Sequence, residues 1–318
     1  MGGANKAWKS FKSIMKQSIT STFGLAILAG ISLVSPAFAV VSMSWTSIGN
    51  VNNAADPSTG YGSVDHAYNI GTYEVTNAQY VDFLNAKGAS NDAGIYNGTM
   101  GHTGGTYNYG NIVQSGSSGS YTYSVSSTYA NQPVVGVTWF DAARFSNWLG
   151  NGQGSGSMET GAYTLAGAMS GIITANAGAS VYIPSENEWY KAAYYNGANS
   201  TYSLYPNGQN TITQADANYG PSSGVADVGY GKASSSGTFG QGGNAFEWND
   251  AVISGSSRGL RGGSWFGNVY YLASSVRSVY GPSLEGDNIG FRVASVPEPT
   301  TVMLTILASG VLVTRRKR

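Results

Sequence analysis

Glycine recurs 45 times in these 318 residues, and that frequency restricts the chain more than any other feature. A residue without a Cβ loses the most conformational freedom on ordering and weakens helix interiors, yet it suits tight turns and positive φ. Only 10 % of the residues are charged, so long solvated helices should be few and turns many. The chain is not a disordered one, because 22 tyrosines and 7 tryptophans supply material for an aromatic core. There is no cysteine. No disulfide can therefore reinforce the fold in an oxidising compartment, and the core must hold it.

Three segments carry helix-start chemistry. Thr76-Asn77-Ala78-Gln79 is a capping box, with Tyr80, Phe83 and Leu84 on one face and Gly88 placed to end the helix. Thr138-Trp139-Phe140-Asp141 opens a second helix, with Ala142, Phe145, Trp148 and Leu149 as its apolar stripe and Gly150 at its end. Ser185-Glu186-Asn187-Glu188 opens a third after Pro184, with Asn196-Gly197 as its stop. Residues 86–132 read as an insertion of short surface strands, and residues 150–180 as a hairpin. Ser275–Tyr280 and Ile289–Ala294 read as strands, with Phe291 and Val293 on one face and Arg292 on the other. No repeat of fixed period and no Pro-rich linker divides the body, so one large domain is expected over residues 40–295.

The two ends address the chain. Lys6, Lys9, Lys12 and Lys16 form a basic leader, an apolar stretch runs from about Phe23 to Val34, and Ala37-Phe38-Ala39 gives the small-x-small pattern cut by signal peptidase. Residues 1–39 therefore read as a secretory signal peptide cleaved after Ala39. At the other end, Val296-Pro297-Glu298-Pro299 precedes an uncharged stretch, Thr300–Thr314, and the cluster Arg315-Arg316-Lys317-Arg318. Fifteen helical residues reach about 22 Å, short of the roughly 30 Å hydrocarbon core. Residues 296–318 resemble the PEP-CTERM sorting signal. That resemblance implies transient inner-membrane anchoring, cutting by an exosortase near the Pro-Glu-Pro, and release to the cell surface or extracellular matrix; the alternative is an uncut anchor. Without the ends the body keeps eight basic against fifteen acidic residues, near −7. That balance argues against nucleic acid and anionic membranes as partners.

Six stretches of the body, in order, are similar to the formylglycine-generating enzyme family, the sulfatase-modifying factors. They are Tyr73–Tyr80, Gln132–Trp139 running into Asp141-Ala142, Ile183–Trp189, Gly243–Trp248, Arg261–Trp265 and Gly290–Ala294. The resemblance implies an irregular α+β fold, akin to C-type lectins, with few regular elements. Read from their chemistry alone, the motifs are mostly structural. Trp139, Trp148, Trp189, Trp248 and Trp265 would fill a core, Gly262-Gly263 suits a close backbone approach, and Glu186 and Glu188 favour a helix N-terminus.

The family's oxidising members hold copper with two cysteines, and the matching positions here are Val269 and Ser274. Soft thiolates suit Cu(I), so neither residue can replace them, and no catalytic residue is assigned. A related branch, the sulfoxide synthases of thiol-histidine biosynthesis, binds iron with three histidines; this chain has only His66 and His102, in polar loops where each reads as solvated. Neither copper nor iron is expected, and nothing pairs Asp65-His66 with a strained serine. Calcium is implied by the family's oxygen ligands. One set would be the carbonyls of Gly243 and Ala245 with Glu247, although the family's upstream asparagine falls at Gly240. A second would be Asn218, the Tyr219 carbonyl, Asp227 and the Gly229 carbonyl. Tyr270, Tyr271, Arg277 and Tyr280 lie near the former catalytic region and would line a cleft for a surface glycan or peptide, or else pack as aromatic core. The expectation is a non-catalytic binding module. The alternative is an oxidoreductase-like member of the family with an altered active site.

Overall fold

The computed structural model describes residues 40–220 and 224–297. The expected signal peptide with its cut after Ala39, and the sorting tail from Glu298 onward, lie outside the described residues.

Three helices form where the capping boxes stand: α1 (Asn77–Lys87), α2 (Trp139–Gly150) and α3 (Glu186–Tyr194). Thr76, Thr138 and Ser185 each accept from the backbone N–H three residues on, and the side chains of Gln79, Asp141 and Glu188 accept in return from the cap N–H. These reciprocal bonds satisfy donors that a helix start otherwise leaves open. Gly88 caps α1 as expected. Helix α3 stops earlier than the Asn196-Gly197 signal: Tyr195 is already extended, because Tyr195–Asn196 pairs with Thr201–Tyr202.

The strands among the described residues are short. In chain order they are β1 (Trp45–Ile48), β2 (Tyr68–Gly71), β3 (Ile112–Ser115), β4 (Thr122–Val125), β5 (Val181–Tyr182), β6 (Tyr195–Asn196), β7 (Thr201–Tyr202), β8 (Phe246–Ser254), β9 (Ser257–Arg261), β10 (Ser278–Tyr280), β11 (Ile289–Gly290) and β12 (Ala294–Ser295). One four-stranded sheet runs β1-β2-β12-β5 and a second β10-β9-β8-β11, with β11 parallel to β8. The expected strand over Ile289–Ala294 is thus two strands in two sheets. Phe291, Arg292 and Val293 cross between them, all fully buried. The carbonyls of Phe291 and Val293 stay paired, accepting from Val75 N and Gly71 N.

The insertion at 86–132 contributes the hairpin β3-β4, and it is more than a surface feature: Ile112 and Tyr123 enter the main core. The hairpin expected at 150–180 is absent apart from one bridge, Tyr163 to Ala175. Side chains of α2 take over its backbone groups. Asn147 Nδ2 donates to the carbonyls of Met158 and Tyr163, and Tyr163 N–H donates to Asn147 Oδ1. Arg144 donates to Glu159 and to the Ala168 carbonyl. The main core lies between α1, α2 and the strands, where Tyr80, Phe83, Phe145, Trp148 and Phe291 pack ring against ring. All five tryptophans expected in the core are buried.

Candidate functional site

Helix α3 starts with Glu186 and Glu188, two positions apart. At about 100° per residue their side chains leave the helix in nearly opposite directions, and they serve two different places. Glu186 accepts from Arg261 Nε at 2.7 Å and from Arg277 Nη1 at 3.2 Å. The Arg261 guanidinium lies over the Tyr61 and Tyr190 rings, 4.7 and 5.0 Å from their centroids, and donates to the carbonyls of Ser274 and Val276. Arg277 also donates to Tyr61 Oη at 2.7 Å. Tyr190 donates to Asp56 at 2.6 Å, and burial with Asp56 alongside pushes its hydroxyl up to about 12, so it remains a donor.

This arginine–tyrosine cluster touches one of the two positions matched to the family's cysteines, Ser274. Val269 begins a 3-10 turn, Val269–Leu272, and is partly exposed. Ser274 is buried: its N–H donates to the Leu204 carbonyl and its carbonyl accepts from Arg261. Tyr270 and Tyr271 stand on the turn with perpendicular rings 5.4 Å apart, and Tyr270 is 64 % exposed. Of the four expected binding residues, the structure brings these two together. Arg277 is held by Glu186 and Tyr61. Tyr280 is exposed on β10, opposite Arg258. Two exposed rings were not foreseen: Phe266 and Tyr107, edge to face at 5.7 Å, both against buried Trp265. Phe266 directly follows the Arg-Gly-Gly-Ser-Trp motif, which was a usable signal; Tyr107, in the Gly-rich insertion, carried none.

The first calcium set needs correction. Glu247 is fully buried and accepts from Arg292 Nε and Nη2, both at 2.6 Å, and from Trp189 Nε1 at 2.7 Å. It is the counter-ion of Arg292, and a second cation there would face the guanidinium. Gly240, at the family's asparagine position, has a positive φ, and any Cβ there would collide with the Glu74 carboxylate. So Gly243, Ala245 and Glu247 do not fit calcium. In the second set Asp227 is exposed, the Tyr219 carbonyl accepts from Gln214, and Asn218 Nδ2 donates to Gly224 and Asn244. Gly229 is exposed in the same stretch.

Neither histidine is merely solvated. His66 lies between carboxylates, Nδ1 2.8 Å from Asp65 and Nε2 3.0 Å from Glu188, and Asp65 above all raises its pKa. His102 stacks on Tyr109 with ring centroids 4.2 Å apart.

Fold and buried charge pairs together define an irregular α+β domain of the sulfatase-modifying class. The chain belongs to the family described as the sulfatase-modifying factor enzyme 1-like domain, which matches residues 37–296. Among solved structures it is similar to Treponema denticola variable protein 1, at 24 % identity and TM-score 0.56 over 83 % of this chain and 100 % of that one. It is also similar to CarF, at 21 % identity and TM-score 0.55 over 81 % of this chain and 100 % of that one. These likenesses establish the fold. No curated protein matches the chain.

Proposed function

We propose that this protein is an exported, non-catalytic binding module that holds a surface glycan or peptide on the exposed rings of Phe266, Tyr270 and Tyr271, with Tyr107 at the margin. The observation that carries the reading is the fate of the two cysteine positions. Val269 has no donor, Ser274 is buried with its N–H and carbonyl closed into backbone and Arg261 bonds, and Tyr270 and Tyr271, between the two positions, stand open. Rings fixed by packing give large contact area at small entropic cost, which suits recognition of sugar or side-chain apolar faces. Arg277 and Tyr280 flank the surface rather than line it. Glycan and peptide arrays test the reading. Binding should fall at least about tenfold in Tyr270→Ala/Tyr271→Ala. A ligand bound equally by both proteins would defeat this placement. Arrays run with calcium and with chelator also test the second set of Asn218, Tyr219, Asp227 and Gly229, where Asn218 Oδ1 and the exposed Asp227 carboxylate are the available ligands.

The same proposal covers the route. Signal peptidase would cut after Ala39, and an exosortase would release the tail after transient anchoring at the inner membrane. Intact mass of the extracellular form should then begin at Val40 and lack Arg315–Arg318. A mass that retains those four residues would make the tail a lasting anchor.

A further inference from the structure

Glu188, directed away from the arginine cluster, faces a cavity of about 340 Å³ that belongs to no part of the surface proposed above. The volume lies in the range of small-molecule pockets. Its polar lining includes His66, Tyr182, Glu188 and Asp250, with Asn176 and Ser185, and Ala175, Ile183 and Val296 are among its apolar walls. The polar groups are unevenly satisfied. Glu188 Oε1 accepts from His66 and from Tyr182 Oη at 2.7 Å, whereas Oε2 has the single donor Ser185 N–H. Asp250 Oδ1 accepts from Arg258 Nη1 at 2.9 Å, and Oδ2 has no donor among the described residues. Arg258 cannot swing to cover it. Its guanidinium lies 3.7 Å over Trp139, Nη1 also donates to the Asp250 carbonyl, and Nη2 donates to the Ile173 carbonyl. The Asp250 side chain is only 19 % exposed, and the mostly apolar cavity beside it strengthens any ionic contact made there.

We propose that this cavity binds a small organic cation, a primary ammonium on a short apolar or aromatic body, with the ammonium on Asp250 Oδ2 and the singly bonded Glu188 Oε2 and the body against Ala175, Ile183 and Val296. An ammonium offers three donors and the charge that both carboxylates lack as a shared partner. A carboxylate ligand would meet the same two groups as repulsion.

The binding carries a pH signature. Burial pushes the Asp250 carboxyl up to about 7 against the opposing pull of Arg258. The groups facing it are Arg258 from β9, Glu188 from α3, and Tyr163; His66 and Tyr182 share the cavity. As pH rises from 6 to 8 Asp250 ionises. That change favours a cation, so affinity rises with pH, by about tenfold.

Calorimetry of the full-length protein with phenethylammonium, 2-phenylethanol and phenylacetate tests this. Phenethylammonium should bind at pH 8, about tenfold more weakly at pH 6, and at least tenfold more tightly than the alcohol at pH 8; phenylacetate should not bind. Asp250→Asn should erase the preference for the ammonium. Because that change also loosens Arg258, Ala175→Trp provides the second variant: it fills the cavity from an exposed wall residue, leaves the Asp250–Arg258 pair in place, and should abolish binding with melting unchanged. Equal affinity for ammonium and alcohol, ammonium binding that survives Ala175→Trp, or no binding at millimolar probe would overturn the proposal. None of these outcomes bears on the ring surface of Tyr270 and Tyr271.

Discussion

Glu74 lies fully buried beside Arg292 and Glu247, and one guanidinium cannot neutralise two carboxylates. Glu247 takes the guanidinium face to face. Glu74 keeps a single hydrogen bond, from Asn244 Nδ2 at 3.1 Å, and its Oε2 is unpartnered. Burial, with Glu247 nearby, lifts its pKa from 4.5 to about 8. The sign for stability follows. Between pH 4.5 and 8 the folded state holds a proton that the unfolded chain has released, so stability falls as pH climbs through that window and levels off above it. Glu74→Gln keeps the shape and removes the titration. The variant should melt close to wild type near pH 5 and clearly higher near pH 9. Asp141 and Asp250, both raised to about 7 by burial, leave a smaller slope behind. Thermal melts at the two pH values decide the matter, and a wild-type fall undiminished in the variant would assign the titration to another group.

At the scale of elements, α2 does two jobs. Its apolar stripe packs into the core, and its polar side chains hold a glycine-rich loop that forms no ladder of its own. Asn147 is the main clasp: it is buried and makes three hydrogen bonds to the loop backbone at Met158 and Tyr163. Removing it leaves buried N–H and C=O groups without partners, each a loss of about 1–3 kcal/mol. Asn147→Ala should therefore cost roughly 3 kcal/mol in urea unfolding and open residues 158–168 to limited proteolysis. A loss below about 1 kcal/mol, with the loop still resistant, would show that Arg144 and the Tyr163–Ala175 bridge suffice.

Across the whole molecule, the Phe291–Val293 crossing joins the two sheets, and Arg292 is the pin. It donates to Glu247 on β8, to the Gly71 carbonyl at the end of β2 and to the Phe239 carbonyl. How much of this could be read in advance depended on the range of the contacts. The three helices were legible because a capping box is a signal only four residues long. The tryptophan core was legible because no other place suits such side chains. The break in the 289–294 strand was not, since alternating Phe291, Arg292 and Val293 look like one continuous strand until Glu247 claims the arginine. Glu247 was misread for the same reason: a carboxylate in a family motif looks like a metal ligand until its partner 45 residues away is known. Tyr270 and Tyr271 could be read either as cleft-lining or as core rings, and Tyr107 meets Trp265 and Phe266 through tertiary packing that no local pattern encodes. The chemistry of the cysteine positions also has to be judged on this scale, because the whole chain contains no thiol. Oxidation of a substrate cysteine by the family's route needs a soft thiolate pair to hold copper. Serine at position 274 is a hard, protonated oxygen, and it is buried. Purified protein supplied with copper and a reductant should therefore leave a sulfatase-type cysteine peptide unchanged. Mass spectrometry of the peptide reads the outcome directly, and appearance of the formylglycine aldehyde would overturn the non-catalytic reading.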